Sequence, residues 1–189
     1  PAPSVEELKK LGYTHILFAV GAWKPGKLDI AGDVAGAIQW MKGVKAGNIS
    51  VAGNIAVIGG GNTAMDAARL AKRSGAKNVT LVYRRTRKYM PADEHELALA
   101  LADGVTFAEL CAPVEQKDGV LRCEKMKLGE ADASGRRSPV ATGEYADIPC
   151  DLVISAVGEQ VDSALLTSNG VEVDGKGRPA FRTNVEGVY

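Results

Sequence analysis

The chain has 189 residues, 46% of them hydrophobic, and its 23 basic side chains balance 23 acidic ones for a formal net charge of zero. That length suits one domain with a sizeable core, or one domain with pieces of another, and the balanced charge provides no global basic field for nucleic acid or a membrane surface. No apolar run approaches the ~20 residues of a membrane helix, and the three widely spaced cysteines, Cys111, Cys123 and Cys150, form neither a C-x-x-C pair nor a disulfide framework.

Residues 5–10 read as a short helix capped by Ser4, with Glu7 placed for a capping box. Ile16 to Gly21 is an apolar run expected to be a buried strand. Residues 22–33 are rich in Pro, Gly and Asp and read as loop. A short helix is expected from Ala35 to Met41, with Gly43, Gly47, Asn48 and Gly53 marking a second loop.

The clearest unit follows. Ile55-Ala56-Val57-Ile58 is a buried strand, Gly59-Gly60-Gly61 a turn, Thr63 to Ser74 a helix with small residues on one side, and Val79 to Tyr83 the next strand. A strand-helix-strand unit of about 30 residues is the size of a parallel βαβ. Pro91 to Asp103 reads as a further helix, with Asp93, Glu94 and Glu96 near its positive end. Val105 to Phe107 starts a third strand. From Ala112 to Ala146 alternating segments and the turn Asp118-Gly119 predict an antiparallel meander, with an exposed tip over Asp132 to Thr142. Leu152 to Gly158 is the last buried strand, and its Ala156-Val157-Gly158 echoes Ala19-Val20-Gly21.

Gly59-Gly60-Gly61-Asn62-Thr63-Ala64 matches G-x-G-x-x-[GA]. Gly59 permits the sharp turn, Gly61 lets a pyrophosphate approach the backbone, and Ala64 allows close helix–sheet packing. The helix start then directs free amides at the phosphates. The strand before and the helix and strand after supply the context that a glycine motif needs. At the end of the second strand, where an NAD site carries an acidic residue for the ribose hydroxyl, this chain has Tyr83-Arg84-Arg85, followed by Arg87 and Lys88. Guanidinium groups match a 2′-phosphate and a carboxylate would repel it, so the expected cofactor is NADPH. An FAD at Gly59 is a weaker reading of the same turn, because it leaves the arginines without a role.

These residues, together with Met65-Asp66 and Met90-Pro91-Ala92, resemble the NADPH domain of the glutamate synthase small-subunit family of flavoproteins. That family includes the flavin half of dihydropyrimidine dehydrogenase, and the wording after Met90-Pro91 resembles bacterial selenate reductase flavoprotein subunits. The resemblance implies an α/β, Rossmann-like three-layer domain with a parallel sheet and an antiparallel meander, flanked by pieces of a split FAD domain. Residues 1–49 would be a crossing strand and linker, 50–158 the NADPH-binding domain, and 159–189 the return segment, with Gly21 and Gly158 at the crossings. Thr183 to Tyr189 is similar to the lead-in to the family's flavin-binding Gly-Asp motif.

By the same resemblance the chain, which begins at Pro1, is expected to be a module of a longer protein, and its cysteines, which suggest no disulfide framework, make a reducing cytoplasm the expected compartment. That parent would carry FAD, possess iron–sulfur clusters outside this chain, and pass electrons to an acceptor subunit. The expected cofactor-binding residues are Gly59, Gly60, Gly61, Asn62, Thr63, Ala64, Arg84, Arg85 and Gly158. No catalytic acid or base and no metal ligand is expected, because the redox chemistry belongs to the cofactors. A non-catalytic nucleotide-sensing domain is the competing function on the same fold. His15, His95 and the cysteines read as structural, Glu94 and Glu96 as helix-start charges, Trp23 and Trp40 as interface filler, and Asp66 as a local partner.

Overall fold

Alternating strand residues divide between two apolar layers. Ile55 and Val57, Val79 and Leu81, and Ile154 pack with Trp40, Met65, Ala68, Leu97 and Ala100 from helices. Ala56, Ile58, Val82 and Val153 pack instead with Leu121, Cys123 and Cys150. A period of two with both faces buried is what a central parallel sheet demands of its sequence.

The computed structural model describes residues 3–133 and 135–189. In chain order its elements are α1 (Val5–Lys10), β1 (Lys24–Pro25), β2 (Val34–Gly36), α2 (Ala37–Lys45), β3 (Asn54–Ile58), α3 (Asn62–Arg73), β4 (Asn78–Tyr83), a 3₁₀ turn (Arg87–Tyr89), α4 (Glu94–Ala102), β5 (Thr106–Glu109), β6 (Cys111–Lys117), β7 (Val120–Ala131), β8 (Arg137–Pro149), β9 (Leu152–Ser155), β10 (Glu159–Gln160) and α5 (Ala164–Ser168).

Two compact units form. One comprises residues 25–158 and the other residues 1–24 with 159–189. In the larger unit a five-stranded sheet runs β2-β9-β3-β4-β5, and each neighbouring pair is parallel. Helices α2, α3 and α4 cover one face, and the antiparallel meander β6-β7-β8 covers the other. This is the three-layer α/β arrangement expected from the sequence. Residues 25–49 pack within this unit, and Trp40 is a core residue of its helix layer.

Several local expectations change. The second helix runs to Lys45 through Gly43, where a methyl group would strike the Ile49 side chain at 2.5 Å, so the glycine there serves packing and not a loop. Pro91 lies before α4, whose N-cap is Asp93 accepting from His95 N at 2.8 Å. The meander hairpin closes at Asp132, with Gly135 N donating to its carbonyl at 2.8 Å. Strand β8 therefore claims 137–142, and Ser134 of the expected tip lies outside the described residues, as do Pro1 and Ala2. Leu110, with φ +56°, turns the chain from the parallel sheet into the meander.

The smaller unit has its own core of Val5, Ile16, Leu166, Val171 and Val188. Helix α1 carries the full capping box: Glu7 N donates to Ser4 Oγ, and Ser4 N donates back to the Glu7 carboxylate at 2.8 Å. The segment from Ile16 to Gly21 is not a buried strand. It makes one parallel bridge, Ile16 with Val188, and Leu17 is exposed. Among the described residues its backbone hydrogen bonds run to residues 187–189. Among the described residues no helix is long and apolar enough to cross a membrane.

Candidate dinucleotide-binding site

The glycine turn sits at the carboxyl end of β3, between the ends of β4 and β9. Strand β4 continues the chain on one side and β9 returns on the other, the arrangement in which open α/β sheets form a ligand crevice. Gly59 N donates to Val82 O at 3.1 Å, and Ala156 N donates to Ile58 O at 2.8 Å, so the turn is pinned to both neighbours. Gly59 has φ +151°, and a methyl group on it would overlap the Ala156 carbonyl oxygen and lie 3.2 Å from Ala64 Cβ. Gly60 packs against Tyr83, where a methyl would come 2.5 Å from the ring. Gly61 differs: its φ is −98°, and among the described residues, its chain neighbours aside, no atom lies within 4 Å of the place a methyl would occupy. The first two glycines thus serve the protein's own packing, and the third faces open space.

That space lies over the start of α3. Gly61 is the N-cap and contributes no side chain, while its carbonyl accepts from Ala64 N at 2.9 Å. Among the described residues the N–H groups of Gly61, Asn62 and Thr63 have no acceptor. The positive end of the helix dipole and unpaired amides together favour an anion. Ala64 is fully buried, which brings α3 close to the sheet.

The basic strand end divides. Arg84 is exposed and has no carboxylate within 4.0 Å among the described residues. Arg85 is 8% exposed, and its Nε donates to Arg137 O at 3.2 Å. The two arginines therefore do not form a joint fork. The chain bends at residues 84–85 beyond the end of β4, and the Arg85 side chain is covered by the meander. Arg87 and Lys88, on the 3₁₀ turn, are exposed with Arg84.

Residues 84–93 form a strap between β4 and α4 that is tied back to the turn. Tyr83 Oη donates to Tyr89 O at 2.8 Å, and Arg87 N donates to Glu109 Oε2 at 2.9 Å. Ala92 N donates to Gly60 O at 3.0 Å, and Asp93 N donates to Asn62 Oδ1 at 3.2 Å. The side-chain carbonyl of Asn62 is thus committed to the strap and not directed at the phosphate space. Glu109 joins the site with no local sequence signal, since its register with Tyr83 on the neighbouring strand brings it there. Gly158, with φ +110°, lies beyond β9 and accepts from Gly26 N at 2.7 Å. Ser155, in register with Ile58, keeps a buried hydroxyl that has no hydrogen-bond partner in the structure.

The remaining candidates have structural places. Glu96 and Asp103 pair with Arg69 at 3.3 and 2.9 Å, and Asp103 also binds Arg73 at 2.9 Å, joining α3 to α4. The Arg73 and Arg69 hydrogen bonds hold the Asp103 carboxyl below the ordinary carboxylate range. His15 stacks on Tyr189 with ring centroids 6.0 Å apart. Among the described residues no cluster of His, Cys, Asp or Glu could hold a metal. All three cysteines are free. Burial pushes the Cys123 thiol up to about 12, and it raises those of Cys111 and Cys150.

The fold defines the chain as a Rossmann-like α/β protein. The family model of pyridine nucleotide-disulphide oxidoreductases matches residues 2–189, and the chain belongs to that family. It is 38% identical over 192 residues to the Escherichia coli (strain K12) protein YgfK, covering 98% of this chain and 19% of the relative. It is 38% identical to the glutamate synthase [NADPH] small chain of Halomonas elongata, covering 71% of this chain and 29% of that one. The chain thus spans less than a third of the length of these relatives. Among solved structures, Mycobacterium tuberculosis FprA in complex with NADPH shares the fold, with a TM-score of 0.63 and 20% identity over 80% of this chain and 52% of that one.

Proposed function

We propose that the chain is the NADPH-binding module of a larger FAD-dependent oxidoreductase and receives NADPH at the glycine turn for reduction of flavin. The observation that carries this reading is the unpaired α3 amide cluster beside open space at Gly61, with Arg84 exposed one strand away. The amides of Gly61, Asn62 and Thr63 would hold the pyrophosphate, and Arg84, with Arg87 and Lys88 near it on the strap, the 2′-phosphate. Bound NADPH supplies a hydride. The chain's own residues bind and orient it, and none acts as an acid or base.

The similarity to a relative named glutamate synthase [NADPH] small chain supports the cofactor. In that reading residues 1–24 and 159–189 belong to the FAD domain, and Gly158 marks the return toward it. The exposed apolar side chains Leu11, Tyr13, Leu17 and Phe181 of this unit fit burial against the rest of such a domain. The parent would carry iron–sulfur clusters outside this chain, act in the cytoplasm and deliver electrons to an acceptor subunit, with selenate as one acceptor to assay.

The test is direct titration of the chain with NADPH and NADH, paired with dye reduction by the full-length parent. Tighter NADPH binding and NADPH-driven reduction are expected. Equal binding, or a flavin-loaded parent that reduces nothing, would favour a nucleotide-sensing domain.

A further inference from the structure

Asn62 occupies the first position of α3, where its backbone N–H belongs to the anion-facing amide cluster. Its side chain faces another task. The Oδ1 atom accepts from Asp93 N, the amide at the N-cap of α4, and two residues earlier Gly60 O accepts from Ala92 N. These two hydrogen bonds close the 84–93 strap onto the glycine turn. At its other end the strap leaves β4 through Tyr83, whose ring covers Gly60 and whose hydroxyl holds Tyr89 O. Between these anchors lie Arg84, Arg87 and Lys88, all exposed. The segment with the cations is therefore held at its far end by residues of the phosphate turn and along its length by Tyr83 and by the Glu109 carboxylate that accepts from Arg87 N.

We infer that Asn62 is a positioning residue for cofactor discrimination: through Asp93 it sets the strap that presents Arg84, Arg87 and Lys88 to a 2′-phosphate. The inference rests on the NADPH reading above and extends it to a residue that touches neither the 2′-phosphate nor the hydride. One tether, Ala92 to Gly60, is backbone-only and survives any side-chain change. The Asn62 tether is the one a substitution removes. Its loss leaves the turn and its amides in place, so the part of the affinity common to both nucleotides is retained. What falls is the part that depends on where the strap cations stand.

Two measurements on the full chain test this. The first needs no nucleotide: Asn62→Ala is expected to be cleaved by trypsin at Arg84, Arg87 or Lys88 several-fold faster than the wild type, with an unchanged thermal midpoint. Asn62→Asp, which keeps an acceptor of the same length, restores the wild-type rate. The second is binding. In Asn62→Ala the NADPH dissociation constant rises roughly three- to tenfold more than that for NADH, the scale of one lost hydrogen bond. Asn62→Asp places a negative charge near the pyrophosphate and weakens both nucleotides, yet returns their ratio to the wild-type value. Unchanged proteolysis, or equal weakening of both nucleotides in Asn62→Ala, would overturn the inference. A wild-type chain with no preference for NADPH would instead overturn the cofactor reading, and the proteolysis result separates the two failures.

Discussion

The α-carbon of Gly59 lies so close to the carbonyl oxygen of Ala156 that even a methyl group at position 59 would overlap it. The contact joins the start of the phosphate turn to the end of β9, a strand nearly a hundred residues later in the chain. Gly59→Ala should therefore unfold the turn, costing roughly 2–4 kcal/mol in urea denaturation from overlap and strained backbone. Gly61→Ala, with open space around it, should leave the denaturation midpoint unchanged and abolish NADPH binding. If Gly61→Ala binds NADPH like the wild type, the phosphate does not sit over α3.

Arg84 and Arg85 should separate in the same manner. Arg84→Glu should weaken NADPH by at least about tenfold, the scale of a lost charge-assisted hydrogen bond plus repulsion, and leave NADH nearly unaffected. Arg85→Ala removes a buried charged side chain and its hydrogen bond to the Arg137 carbonyl and should cost about 1–3 kcal/mol of stability, with the NADPH-to-NADH ratio retained. Isothermal titration and chemical denaturation of both variants decide the matter. A ratio that moves with Arg85 and not with Arg84 would reverse the assignment.

Acid should destabilise the larger unit through Asp103. Its carboxyl is held below the ordinary value by Arg73 and Arg69. A depressed folded-state value means that the folded form favours the carboxylate. This contribution is complete above the unfolded value of about 3.9 and is lost as pH falls through the lower folded value. Asp174, held at about 2 by Arg178 in the other unit, adds to the same acid limb. Stability measured from pH 6 downward should fall steadily below about pH 4. Asp103→Asn should lower stability at pH 7 and flatten that slope, and an unaltered slope would show that the α3–α4 ion cluster contributes nothing.

The thiols should be inert. Cys123 and Cys150 are fully buried in the layer between sheet and meander, and their protonated forms are favoured. A disulfide exchange reagent at pH 8 should label the half-buried Cys111 first, and the other two only on the time scale of unfolding. Denaturant should release all three at once. Rapid labelling of Cys123 in the native chain would reopen a thiol role for this member of a disulphide oxidoreductase family.

What the sequence determined alone was local. The capping box of α1, the glycine turn, the helix after it and the small-residue face of that helix follow from backbone preferences and spacings within a dozen residues, and they stand where the pattern places them. The uninterrupted apolar runs that mark the central strands were legible too, because both faces of the parallel sheet demand apolar residues. The tertiary structure decided what depends on register. It turned Arg85 inward to Arg137, gave the Asn62 side chain to Asp93, and brought Tyr83 against Gly60. It also joined Ile16 to Val188, at the far end of the chain, by a single parallel bridge. A side chain's neighbours across a sheet or strap lie tens of residues away in sequence, and no spacing rule within one segment reports them.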